Sequence, residues 1–231
     1  MISVTQLTKK YGSQCVLDLP SLEIPKGQCF GLVGNNGAGK TTFFSLVLDL
    51  IKASSGSITI DGISVDRSES WKKLTAAYID ESFLIGYLSA EEYFYFVGRL
   101  RQQTPEQIDQ WLHQFEPFFN GEVLKQKKYL RGLSKGNQKK VGIIATLIGQ
   151  PQWVLLDEPF ANLDPSSQIR LKKLILELRE KQDITFLISS HDLNHVTEVC
   201  DRIVLMEKGL LIKDLKAGDS TLKELADYFT N

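Results

Sequence analysis

Apolar residues fall into two patterns along the chain, and their order outlines a fold. Short, nearly continuous apolar runs stand at Cys29–Val33, Trp153–Leu156, Ile184–Ile188 and Ile203–Met206. A strand apolar on both faces belongs inside a parallel sheet, covered on each side. Ser57-Ile58-Thr59-Ile60-Asp61-Gly62 alternates instead and closes on Asp-Gly, a half-buried strand with a turn. Ala76–Asp80 is a further short strand. Residues 1–33 predict short strands broken by turn signals at Lys10-Tyr11-Gly12-Ser13, Leu19-Pro20-Ser21 and Pro25-Lys26-Gly27.

Between the strands at Asp80 and Trp153 the apolar period becomes helical. Ser89-Ala90-Glu91-Glu92 is a capping box, and Tyr93, Phe96, Val97 and Leu100 follow at helical spacing as the inner stripe, with Phe94 and Tyr95 off it. Thr104-Pro105-Glu106-Gln107 is a second box with proline at the first helical position, followed by Ile108, Trp111, Leu112 and Phe115. Asp164-Pro165 starts another helix with Leu171, Leu174, Ile175 and Leu178 inward, and Thr221-Leu222-Lys223-Glu224 caps a last short one. The pattern predicts one α/β domain over residues 1–231. Its core is 1–81 and 149–231, with an antiparallel β portion at the N-terminus and a helical insertion at 82–148.

Composition narrows the partners. A net charge of −1 offers no basic field for nucleic acid. No apolar run approaches the ~20 residues that span a bilayer, and the N-terminus lacks the pattern of a secretory signal. Cys15, Cys29 and Cys200 have no metal-ligand spacing and read as reduced core residues. The expected location is the cytoplasm, or the cytoplasmic face of a membrane.

Candidate chemistry centres on Gly34-Asn35-Asn36-Gly37-Ala38-Gly39-Lys40-Thr41-Thr42, between a buried strand and a helix beginning Phe43-Phe44. Strand, glycine-rich turn and helix is the context of a phosphate-binding loop. Its N–H groups and the helix N-terminus suit an anion, Lys40 can reach the β- and γ-phosphates, and Thr41 can sit on Mg²⁺. Leu155-Leu156-Asp157-Glu158-Pro159 puts an acid at the carboxyl end of a buried strand, where such sheets bind ligands. Asp157 there would hold Mg²⁺, and Glu158 could reach a water. Leu133-Ser134-Lys135-Gly136-Asn137-Gln138 opens a helix and reads either as a second anion site or as a plain cap with an exposed, Lys-rich face. His191-Asp192-Leu193-Asn194-His195 has two histidines at zinc-binding spacing, though the acid is Asp and His191 directly follows a strand.

Taken together, these segments resemble the ATP-binding subunit of an ABC transporter along nearly the whole chain. The phosphate loop, Gly34 to Thr42, matches the family's, and Leu155 to Glu158 its Walker B strand and catalytic glutamate. Leu133-Ser134-Lys135-Gly136-Asn137 is similar to its signature, and Ala161-Asn162-Leu163-Asp164 to its D-loop. The switch histidine falls on His191 and the adenine-stacking aromatic on Tyr11. The resemblance implies a RecA-like P-loop core, ATP and Mg²⁺ as ligands, and hydrolysis driven by Glu158, Lys40 and His191. Thr41, Asp157 and Glu81 would lie on the metal, with Ser134, Gly136 and Asn137 on nucleotide. It also implies separate transmembrane permease subunits and a second copy of the chain in an ATP-sandwich dimer.

Two departures stand out. Glu81 occupies a place usually held by Gln, with Asp80 before it where Pro is usual, and Lys135 and Asn137 alter the signature. Glu81→Gln, which restores the commoner residue, is therefore expected to leave hydrolysis largely intact. The Ser-Lys-Gly form resembles the small exporters with separately encoded membrane subunits. The aromatics Phe83, Tyr87 and Tyr93 to Phe96 are either core or, as the resemblance implies, the groove that receives a short helix of the membrane subunit. Other readings are a soluble ABC-type ATPase acting on ribosomes or DNA, and a nucleotide-binding module without turnover.

Overall fold

The computed structural model describes residues 1–218, 221, 222, 224 and 225. The chain opens with β1 (Ile2–Tyr11) and β2 (Gln14–Ile24), then passes through β3 (Cys29–Val33) into α1 (Lys40–Val47). β4 (Ser55–Ile60), β5 (Ile63–Ser64) and β6 (Thr75–Tyr78) follow. Four helices come next: α2 (Ala90–Leu100), α3 (Pro105–His113), α4 (Glu116–Phe119) and α5 (Lys135–Thr146). The chain then alternates through β7 (Trp153–Leu156), α6 (Pro165–Gln182), β8 (Thr185–Ser190), α7 (Leu193–Val199), β9 (Arg202–Glu207) and β10 (Leu210–Lys216). Thr221, Leu222, Glu224 and Leu225 are helical, while Lys223 of the expected last helix lies outside the described residues.

Two sheets carry this order. One is antiparallel, β2-β1-β4-β5; the other runs β10-β9-β3-β8-β7-β6, parallel except for β10 on β9. Alternation explains why the parallel strands are apolar throughout. Phe30, Leu32, Trp153, Leu155, Leu187, Val204 and Met206 enter a core shared with α1 and the antiparallel sheet. Their neighbours Cys29, Val33, Val154, Leu156, Phe186, Ile188, Ile203 and Leu205 enter a second core with α2 to α7. A sheet buried on both faces is the α/β class expected, with the antiparallel β portion at the N-terminus. Among the described residues no helix is long and apolar enough to cross a membrane.

Four local expectations fail, each for a physical reason. β2 runs unbroken through Pro20, because β2 is a sheet edge and Pro20 falls opposite Gln6 at a gap in the ladder between Thr5↔Ser21 and Leu7↔Leu19. Cys15 is exposed on that strand, whereas Cys29 and Cys200 are buried with their sulfurs 3.3 Å apart. In α2 the inner face is rotated: Phe94 is buried against Trp111 and Phe119, while Phe96 and Leu100 are exposed. The alternative of a Lys-rich exposed face on α5 holds only for Lys135; Lys139 and Lys140 are buried, the latter 3.8 Å from both Glu122 and Asp164.

Candidate phosphate-binding and hydrolytic site

The loop after β3 is shaped by backbone constraints. A Cβ on Gly34 would lie 2.2 Å from the Met206 carbonyl oxygen, so β9 can approach only glycine there. Gly39, at φ 112°, caps α1 without any side-chain hydrogen bond. The first N–H groups of a helix have no partner within it, and here no cap satisfies them. Together with the positive end of the helix dipole they favour an anion. Asn35, Asn36, Gly37 and Thr41 are exposed, Thr42 half-buried and Ala38 buried. Lys40 is buried; its Nζ donates to the carbonyls of Gly34 at 2.6 Å and Asn35 at 3.3 Å, 3.3 Å from Glu158 Oε1.

Opposite the loop stands the end of β7. Asp157 is buried, and its carboxylate accepts from Thr41 Oγ1 at 2.5 Å and from the Ser189 hydroxyl of β8. Burial raises its carboxyl above the usual range, against the pull of those two hydroxyls. Glu158 sits at φ 47°, left-handed for a non-glycine residue, and its N–H donates to Ser189 Oγ at 2.9 Å. Its Oε2 meets His191 Nδ1 at 2.8 Å. Its Oε1 is buried and makes no hydrogen bond, although Lys40 is within ion-pair distance. The Asp157 carboxylate and the Thr41 hydroxyl beside it are hard oxygen donors of the kind that suits Mg²⁺.

His191 precedes α7, so the two histidines do not share a helical face; His195 instead lies against the Phe160 ring at 4.8 Å. Desolvation lowers the pKa of His195. Glu81 follows β6 in a short turn (Glu81–Phe83) capped by Asp80, which accepts from Ser82 N–H at 2.6 Å. Tyr78 OH donates to Glu81 Oε1 at 2.8 Å. Tyr11 ends β1 with its ring exposed beneath Lys9, opposite Gln14; Val16, two residues on, has its carbonyl oxygen 3.3 Å from a Cβ built on Gly39.

Ser134 caps α5 by accepting from Asn137 N–H at 3.2 Å. A Cβ on Gly136 would lie 2.9 Å from the Asn162 carbonyl oxygen, so the signature-like turn packs on the segment before α6. No hydrogen bond among the described residues joins Ser134, Gly136 or Asn137 to the loop. The structure thus brings together Lys40, Thr41, Asp157, Glu158 and His191, and leaves the α5 turn apart. Sequence reasoning missed Ser189, which contacts both acids, and Lys139, whose Nζ donates to the Glu158 carbonyl at 2.8 Å. Ser189 could have been found as the strand-end residue before Ser190-His191.

Residues 17–161 match the ABC transporter family. The chain belongs to that family, and within it to the ATP-binding proteins, as an ATPase. It is 33% identical to the uncharacterised ABC transporter ATP-binding protein YhaQ of Bacillus subtilis, over 90% of this chain and 69% of that one. It is 31% identical to the methionine import ATP-binding protein MetN of Carboxydothermus hydrogenoformans, over 86% and 60% respectively. Identity to the bacitracin transport ATP-binding protein BcrA of Bacillus licheniformis is 30%, over 93% and 69%. Among solved structures it is similar to cbiO1 of Clostridium perfringens, part of the ABC transporter complex cbiONQ, with a TM-score of 0.77, 28% identity and coverage of 98% and 90%. The dimeric bacterial ABC transporter cassette MJ0796 shares the fold at a TM-score of 0.86 and 22% identity, over 95% of this chain and 100% of that one.

Proposed function

We propose that this chain hydrolyses Mg²⁺-bound ATP at the ends of β3, β7 and β8 and drives a partner membrane permease. The observation that carries the reading is the convergence of Lys40, Thr41, Asp157, Glu158 and His191. Lys40 and the loop N–H groups of Gly34 to Thr42 hold the phosphates, and Tyr11 stacks on adenine. Glu158 orients and deprotonates the attacking water through Oε1, which makes no hydrogen bond and lies 3.3 Å from Lys40 Nζ. His191 fixes the other Glu158 oxygen and faces the γ-phosphate. Thr41, Asp157 and Glu81 would hold Mg²⁺, which would supply neutralisation of the charge that develops on the phosphates.

The core of 1–81 and 149–231 carries 82–148 as its helical subdomain. Between them a cleft of about 480 Å³, lined by Leu50, Tyr78, Phe83, Leu84, Tyr93 and Val97, suits a short helix of the permease. Phe83 and Leu50 are exposed at it, which supports that use. The chain then sits peripherally on the cytoplasmic face of the membrane. Export is the favoured direction because Ser134-Lys135-Gly136 resembles the small-exporter form of the signature; the methionine import relative marks the opposite outcome. A second copy supplies Ser134, Gly136 and Asn137 to the nucleotide.

Phosphate release by the purified protein tests the core of this reading. It should require Mg²⁺ and vanish in Lys40→Ala, which removes a charge-assisted phosphate contact. Turnover in Lys40→Ala equal to the parent's would end the assignment.

A further inference from the structure

Lys139 is 5% exposed. Its ammonium lies among groups of the nucleotide site, although α5 enters from the helical segment. Nζ donates to the main-chain carbonyl of Glu158 at 2.8 Å and lies 4.0 Å from Glu81 Oε1. It also stands 5.7 Å from the centre of the Tyr78 ring, whose hydroxyl donates to that same Glu81 oxygen at 2.8 Å. Gly142, further along α5, makes room for the ring: a Cβ there would be 2.3 Å from Tyr78 Cε2. A buried ammonium persists only when paired and hydrogen-bonded. Here the nearest carboxylate is Glu81, and the hydrogen bond goes to Glu158, whose left-handed backbone needs holding.

We propose that Lys139 is a positioning residue of the nucleotide site: it is the standing counter-charge of Glu81 and the clamp on the Glu158 main chain. A divalent cation then competes with Lys139 for the Glu81 carboxylate, so Mg²⁺ binding on that side is weakened until the ammonium yields. The proposal rests on reading Glu81 as a Mg²⁺-side ligand. It also reverses the expectation for Glu81→Gln, which would strand a buried ammonium rather than restore a neutral site.

The test titrates a fluorescent, non-hydrolysed ATP analogue against Mg²⁺ in the parent, Lys139→Gln, Glu81→Gln and the double variant, with thermal unfolding and kcat recorded for each. In Lys139→Gln the Mg²⁺ needed for half of the affinity gain should fall about threefold or more, because contacting charges couple at that scale. At the same time kcat should drop, since Glu158 is no longer clamped. Lys139→Arg keeps the charge and should return the Mg²⁺ requirement toward the parent's. In the Glu81→Gln background the Mg²⁺ shift should disappear, and the double variant should regain part of the unfolding midpoint that each single variant loses. If Lys139→Gln alone fails to fold, recovery of folding in the double variant supports the pairing and failure of both overturns it. An unchanged Mg²⁺ requirement in Lys139→Gln, or independent effects in the double variant, overturns the proposal alone. A parent whose analogue affinity ignores Mg²⁺ sinks the Mg²⁺ reading of Glu81 and the proposal with it.

Discussion

Asp157 is 4% exposed, and burial raises its carboxyl pKa despite two hydroxyl donors. A carboxyl harder to ionise when folded destabilises the fold at every pH above its folded pKa. Below the unfolded value, about 3.9, neither state is ionised and the cost vanishes. Asp157→Asn should therefore raise the unfolding midpoint of the nucleotide-free protein at neutral pH, with the gap closing as pH falls toward that value. The same variant should lose Mg²⁺-dependent hydrolysis by more than about 100-fold, beyond what outer partners of a metal cause. Calorimetry at two pH values and phosphate release check both halves. Tyr11 makes an independent prediction. Base stacking is worth roughly 1–3 kcal/mol, so Tyr11→Ala should weaken ATP binding about 5- to 150-fold by fluorescent titration. The residues from Gly34 to Thr42, with Asp157 and Glu158, were legible because each group is contiguous and flanked by its own strand. Ser189 was legible only as a strand-end residue, since the pairing of β7 with β8 brings it to those acids, and Lys139 was not legible at all, because its reach to Glu158 is a contact between distant segments.

Helices with capping boxes were the most legible elements: Ser89 and Thr104 cap α2 and α3 through reciprocal bonds. Phase was less legible. Aromatics cover most of the α2 surface, so spacing could not choose between Phe94 and Phe96, and contact with α3 and α4 decided it. β10 was missed because its residues alternate between exposed and half-buried, leaving no apolar run. Packing of α5 on β6 is the element-level contact that joins helices to the site, and Gly142 tests it. Alanine gains about 1 kcal/mol over glycine in helix propensity. Its Cβ, 2.3 Å from the Tyr78 ring, should cost about 1–3 kcal/mol by overpacking. Gly142→Ala should therefore lower the unfolding midpoint, and a rise would show that the ring moves aside freely.

At the scale of the whole molecule, the chain carries two helix-opening turns, at Gly34–Thr42 and at Ser134, that do not meet. The loop at Gly34–Thr42 is built with Asp157 and Glu158, while Ser134 caps α5 with no bond to that loop. In the proposed function a second copy completes the site, with ATP inside the interface and stabilising it by mass action. Loss of the base in Glu158→Gln should slow hydrolysis by roughly 10²- to 10⁴-fold, so the ATP-bound pair accumulates. Light scattering after gel filtration is the measurement. Glu158→Gln with ATP and Mg²⁺ should elute as a dimer and without nucleotide as a monomer. Adding Ser134→Arg, which blocks the α5 turn, should return it to monomer. A Glu158→Gln protein that binds ATP and stays monomeric, or a dimer indifferent to Ser134→Arg, would contradict the shared site.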